Sequence, residues 1–116
     1  MTPCIKTLRK KIRFAEEPNN PQLICMWLKI EQVKMKNISY EKQWAGYINE
    51  ANFLLDTLSD ELIPAHWREC CLNHIHIPLG CLHRLVSSKK DLLRLNQLMY
   101  EVRETSKFFN PARAIR

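Results

Sequence analysis

At 116 residues, with 46% apolar and 26% charged side chains, the chain has the size and composition of one globular domain, which excludes wholesale disorder. Two glycines, Gly46 and Gly80, are too few for a β-sandwich, a barrel or a glycine-rich phosphate loop. The net charge of +6 sits at the ends: residues 1–14 carry five basic side chains and no acid, residues 84–116 carry eight against three, and the stretch between is net −4.

In chain order, Ile5 to Phe14 forms a short basic segment with Ile5, Leu8 and Ile12 at helical spacing. Glu16-Glu17-Pro18-Asn19-Asn20-Pro21 stops it, because two prolines and two asparagines cannot prolong a helix. The pattern predicts a basic N-terminal arm and Pro/Asn linker over 1–20, then a body over 21–109. Pro21 suits a first helical position, and Leu23, Met26, Trp27, Ile30 and Val33 make an apolar stripe opposite Lys29, Gln32 and Lys36. Asn37-Ile38-Ser39 ends that helix, with Ser39 placed to cap the next. There Trp44, Tyr47, Ile48, Ala51, Leu54, Leu55 and Leu58 recur every three or four residues, the clearest amphipathic pattern in the chain.

Pro64 opens a third, shorter helix through about His74, and Pro78 and Gly80 interrupt the chain beyond it. A last helical stretch runs from about Leu79 to Phe108, with a break at Ser87-Ser88, where Ser88 and Asp91 resemble a capping pair. Leu92, Leu95, Met99 and Val102 give it a core face, and 110–116 reads as a frayed tail. Short links between amphipathic helices predict an all-α fold, a small antiparallel bundle of three to four main helices.

No apolar signal region opens the sequence, and no run is long enough to span a bilayer. The five cysteines, an odd number with Cys70 and Cys71 adjacent, suit a reducing compartment better than a disulfide framework, so a cytoplasmic location is expected.

All four histidines and three cysteines fall between His66 and His83. Thiolate and imidazole bind zinc well, so the cluster is a candidate metal site. His66, Cys70 and His74 share one helix face at i, i+4 and i+8, but the outer two stand about 12 Å apart along the axis and cannot hold one ion. Cys70 and His74 with Cys81 and His83 would complete a Cys₂His₂ zinc set. Its spacing matches no zinc signature, however, and the cysteines alternate with Trp67, Leu72, Ile75, Ile77 and Leu82 as core residues do. A catalytic cysteine–histidine dyad lacks a nucleophile motif, an oxyanion hole and an orienting third group in this stretch.

Carboxylates form no catalytic pair, and no phosphate-loop, dinucleotide or metalloprotease motif occurs, so the chain is expected to bind rather than to catalyse. The charge layout points first to a nucleic-acid-associated accessory or regulatory protein. Lys6, Arg9, Lys10, Lys11 and Arg13, with Arg84, Lys89, Lys90 and Arg94, would hold phosphates. The arm is too short, and too poor in tryptophan, for a membrane anchor. The alternative is a protein–protein adaptor, regulator or small subunit of a larger assembly, zinc-stabilised or not. It would dock through the first body helix, where Ile24, Leu28 and Met35 lie outside the main stripe.

Overall fold

The computed structural model describes residues 4–109, without the side chains of residues 108 and 109; the tail expected over 110–116 lies outside that range. The described chain is all-helical, with no strand. Six helices follow one another: α1 (Ile5–Arg13), α2 (Gln22–Lys34), α3 (Tyr40–Leu58), α4 (Ala65–His74), α5 (His76–Leu85) and α6 (Lys89–Phe109). The sequence led us to expect three or four main ones.

The helix ends follow local chemistry. Past α1, Glu16 N–H reaches the Lys11 carbonyl at 2.9 Å and Ala15 N–H the Ile12 carbonyl at 3.3 Å, a Schellman-type closure. It requires a left-handed residue, and Ala15 takes φ 51° there. Glycine usually fills this position; here the alanine methyl joins the core. Asn37, at φ 63°, ends the α2 turn in the same backbone region, which asparagine tolerates. Ser39 caps α3 by accepting from Lys42 N–H at 3.3 Å.

Pro78 does not interrupt its helix as expected. It sits in the first turn of α5, where a missing N–H costs nothing, and Gly80 continues inside the helix. The break falls at Ile75 instead, between α4 and α5, because Pro78 has no N–H to offer the His74 carbonyl. The expected cap at Ser88 is present. Asp91 N–H donates to Ser88 Oγ at 3.1 Å, and the Asp91 carboxylate takes Ser87 N–H at 3.2 Å. Tyr40, at the head of α3, ties this junction down by donating to Asp91 Oδ2 at 2.7 Å.

α3 lies at the centre, against α1, α4, α5 and α6, while α2 rests on α1. The molecule is flat, 44 × 37 × 18 Å, which is thick enough for two layers of helices. Within the segment expected as an N-terminal arm, α1 packs onto the body. Leu8 and Ile12 are fully buried, and Trp67 of α4 donates its indole N–H to the Ile12 carbonyl at 2.8 Å. Trp27, Trp67, Leu54, Leu58, Leu82, Leu95 and Leu98 fill the middle.

Two faces differ from the sequence reading. On α2 the buried side is Leu23, Ile24, Trp27 and Leu28, while Met26 and Val33 of the expected stripe are exposed. Apolar residues ring that helix almost completely, so its periodicity is weak, and Trp27 settles the matter by packing against Phe53 of α3 with centroids 4.8 Å apart. On α6, Leu95, Leu98 and Val102 are buried, and Leu92 and Met99 are partly exposed.

Candidate functional site

The five N-terminal cations are largely engaged within the chain. Lys11 meets Glu17 at 2.7 Å, Arg13 meets Asp60 at 2.8 Å, and Lys10 lies 3.9 Å from Glu16. The hydrogen bond from Lys11 holds the Glu17 carboxyl below its ordinary pKa, and that from Arg13 does the same for Asp60. Arg9 stacks its guanidinium over Phe53 at 4.4 Å and over Trp27 at 5.8 Å. Lys6 points outward without a partner among the described residues. A phosphate approaching α1 would have to displace these carboxylates.

The proposed zinc quartet is not assembled. Among the described residues no three His, Cys, Asp or Glu side chains converge as metal ligands. His83 is exposed, and Cys81 is buried with its sulfur accepting from Arg84 at 3.2 Å. His74 turns to a residue far outside the cluster: its Nε2 lies 3.4 Å from Cys25 Sγ of α2, while its Nδ1 meets the Cys70 carbonyl at 2.7 Å. Cys70 and His74 do stand one helical turn apart, as their spacing requires, but the residue that completes the contact is 49 positions away.

Ile24 and Leu28, which the sequence assigns to partner docking, are core residues, and Met35 is buried as well. Met35 lies across Gly46: a β-carbon at residue 46 would stand 2.1 Å from Met35 Cε and 2.8 Å from its Sδ. The end of α2 thus nests on α3 because residue 46 has no side chain. Beside this contact an open cleft of about 590 Å³ is lined by Lys29, Gln32, Val33, Met35, Lys36, Gln43 and Tyr47.

Exposed large apolar side chains also occur at Phe14, Val33 and Leu62, but α6 carries the largest group on one helix. α6 presents Leu93 at 68% exposure, Tyr100 at 58%, and Leu92 and Met99 at 43% each. Residues 89, 92, 93, 96, 99, 100, 103 and 107 recur every three or four positions, so they share the side of α6 turned away from Leu95, Leu98 and Val102. The stripe therefore runs Lys89, Leu92, Leu93, Asn96, Met99, Tyr100, Arg103, Lys107, with cations at both ends and no carboxylate along it. From Lys89 to Lys107 it measures about 27 Å at the helical rise. Lys107 pairs with Glu104 at 2.8 Å, beside the stripe; Lys89, Lys90, Arg94 and Arg103 have no ion pair among the described residues.

Among the described residues two buried polar side-chain atoms lack a hydrogen-bond partner. Glu50 is 3% exposed and its Oε2 has no hydrogen-bond partner, nor does the indole N–H of the buried Trp27. Burial, with the Glu31 carboxylate adding to it, pushes the Glu50 carboxyl up to about 8, against a smaller opposing pull from Arg9.

No family model matches the chain, and no curated protein or solved structure matches it either. Among the described residues no helix is long and apolar enough to cross a membrane.

Proposed function

We propose that this protein is a non-enzymatic docking module that binds an acidic amphipathic helix of a partner protein along the outer face of α6. One observation carries the reading: the longest helix turns four large apolar side chains, Leu92, Leu93, Met99 and Tyr100, outward on a single stripe. Side chains of that size grouped on one helix side, with a polar border, are characteristic of recognition surfaces. Leucine and methionine gain about 1.5–3 kcal/mol each on going from fully exposed to fully covered, enough for a few such contacts to dominate an interface. The cations at both ends favour a partner with carboxylates flanking its own apolar face.

This reading keeps the helix-face mode expected from the sequence and moves it from α2 to α6. Nucleic-acid binding is the competing reading. It would draw on Lys89, Lys90, Arg94 and Arg103, with Tyr100 as a stacking platform.

The test is fluorescence anisotropy of the full chain with a labelled helical peptide carrying leucines at i, i+3, i+4 and i+7 and glutamates at its flanks. Labelled single-stranded and duplex oligonucleotides are titrated in parallel, at low and high salt. The peptide is expected to bind saturably. Leu93→Glu and Tyr100→Glu are each expected to weaken it by about tenfold or more, with melting temperature unchanged, because both side chains project into solvent. Tighter, steeply salt-dependent oligonucleotide binding would move the assignment to nucleic acid. Peptide binding indifferent to both substitutions would remove α6 as the docking face.

A further inference from the structure

The Cys25–His74 contact has the parts of an activated thiol. Cys25 stands on α2 and His74 is the last residue of α4, so the tertiary fold alone brings them together. The Cys70 carbonyl can only accept a hydrogen bond, so His74 Nδ1, 2.7 Å away, carries the ring proton. That fixes the tautomer and leaves Nε2 with a lone pair facing Cys25 Sγ at 3.4 Å. Nucleophile, base and a third group that orients the base are thereby aligned, on a smaller scale than in a hydrolase. Both residues are partly exposed, so the pair lies at the surface of the fold and not in its core.

We propose that Cys25, activated by His74, is a site of stoichiometric oxidation by small hydroperoxides. His74 Nε2 takes the thiol proton, and the thiolate attacks the distal peroxide oxygen. The O–O bond breaks as the S–O bond forms. The leaving oxygen departs with the electron pair and takes the proton back from His74. Cys–SH and ROOH thus give Cys–SOH and ROH, with sulfur oxidised by two electrons and the peroxide reduced by two. The chemistry suits this pair because the leaving oxide needs an acid at the moment the thiol needs a base, and one imidazole serves both. A half-buried sulfur also favours a two-oxygen oxidant over a bulky disulfide.

The other thiols serve as internal references. Cys71 is buried and pushed up to about 12, and Cys70 is raised, in both cases chiefly by burial. Cys81 is buried against Arg84. Cys4 is exposed at the head of α1, where the backbone N–H groups of Lys6 and Thr7 lower its thiol. The experiment therefore uses a Cys4→Ser background.

The reduced full chain is exposed to hydrogen peroxide, sulfenic acids are trapped with dimedone, and each cysteine is followed by peptide mass spectrometry. Cys25 is expected to be labelled fastest. His74→Gln, which can still donate to the Cys70 carbonyl, is expected to slow it by on the order of a hundredfold. In His74→Ala, added imidazole is expected to restore part of the rate. Circular dichroism and melting of both variants show whether the fold is kept, and the imidazole response reports on proton transfer, which a purely structural role would not move. Labelling of Cys25 no faster than Cys70, or a rate unchanged in His74→Gln, would overturn the proposal.

Discussion

Wild-type protein is expected to lose stability as pH rises from about 4.5 to about 8, and the Glu50→Gln variant is expected to lose almost none. Glu50 is nearly inaccessible, and one of its oxygens has no donor. Its neighbours explain why it is not rescued. Arg9 approaches, but its guanidinium is committed to the rings of Phe53 and Trp27. Glu31 repels from α2, and Tyr47 offers no opposite charge. The folded-state carboxyl therefore titrates near 8, while the unfolded one titrates near 4.5. Between those values the native state holds a proton that the unfolded state has released, so the stability present below 4.5 drains away as pH rises through the folded value. The full shift corresponds to on the order of 5 kcal/mol. The lowered carboxyls of Glu17, Asp60 and Asp91 act in the opposite direction, and at lower pH, as pH falls through their depressed values. Urea unfolding across this range separates the two windows. A wild-type midpoint that stays flat, or a glutamine variant no more stable than wild type at pH 8, would mean that Glu50 finds a donor in solution.

The parts of this fold legible in the sequence are those decided within a few residues. Ser39 announces the start of α3, Ser88 with Asp91 announces α6, and the spacing of Leu54, Leu55 and Leu58 fixes the buried side of α3. What the sequence hides is decided by contacts between distant segments. Ile5, Leu8 and Ile12 mark α1 as amphipathic, yet only the groove closed by Trp67 shows that this face is spent on the core. α2 offers apolar residues on nearly every side, so periodicity cannot choose among them, and the true buried set includes Ile24 and Leu28, which the sequence assigns to a partner. In α6 the core face takes Leu98 in place of Leu92 and Met99. The helix is thus turned by a fraction of a turn, and that rotation is what sends the exposed stripe outward.

The same distinction governs the chemistry. The density of histidine and cysteine between residues 66 and 83 draws attention to the right residue, His74, and to the wrong partners. Cys25 sits among apolar neighbours on α2 with no local mark of reactivity. The only signal was a requirement: a histidine one turn after Cys70 on a partly buried helix needs something to face. Paired and unpaired cations cannot be told apart in the sequence for a related reason. Net charge counts Lys11 and Arg13 as free cations, while Glu17 closes back on one of them through the turn and Asp60 arrives at the other from 47 residues away. On α6, Lys107 pairs with Glu104, while Lys89, Lys90, Arg94 and Arg103 have no ion pair among the described residues, which leaves that helix with more unpaired cations than α1.

Trp67→Ala is expected to cost about 3–5 kcal/mol, a large fraction of what holds a domain of this size together. Trp67 is fully buried, and it does two things at once. Its ring fills the space between α4 and α1, and its N–H supplies the Ile12 carbonyl at the end of α1. Removing the ring leaves a cavity and loosens α1, whose other holds on the body are Leu8 and Ile12, the Arg13–Asp60 ion pair and Arg9 over Phe53. Hydrogen exchange should therefore show amides of residues 5–13 losing protection first, with α3 and α6 following only on global unfolding. Trp67→Phe isolates the hydrogen bond. The carbonyl still accepts from Ala15 N–H, so the change should add only about 1 kcal/mol to the cost of the smaller ring. Trp27 provides the control, because its equally buried N–H has no partner, and removing it relieves an unsatisfied donor. Trp27→Phe should then be milder than Trp67→Phe despite equal burial. If urea midpoints place them in the reverse order, the indole of Trp27 has a partner in solution, and the bond to Ile12 contributes little to holding α1 in place.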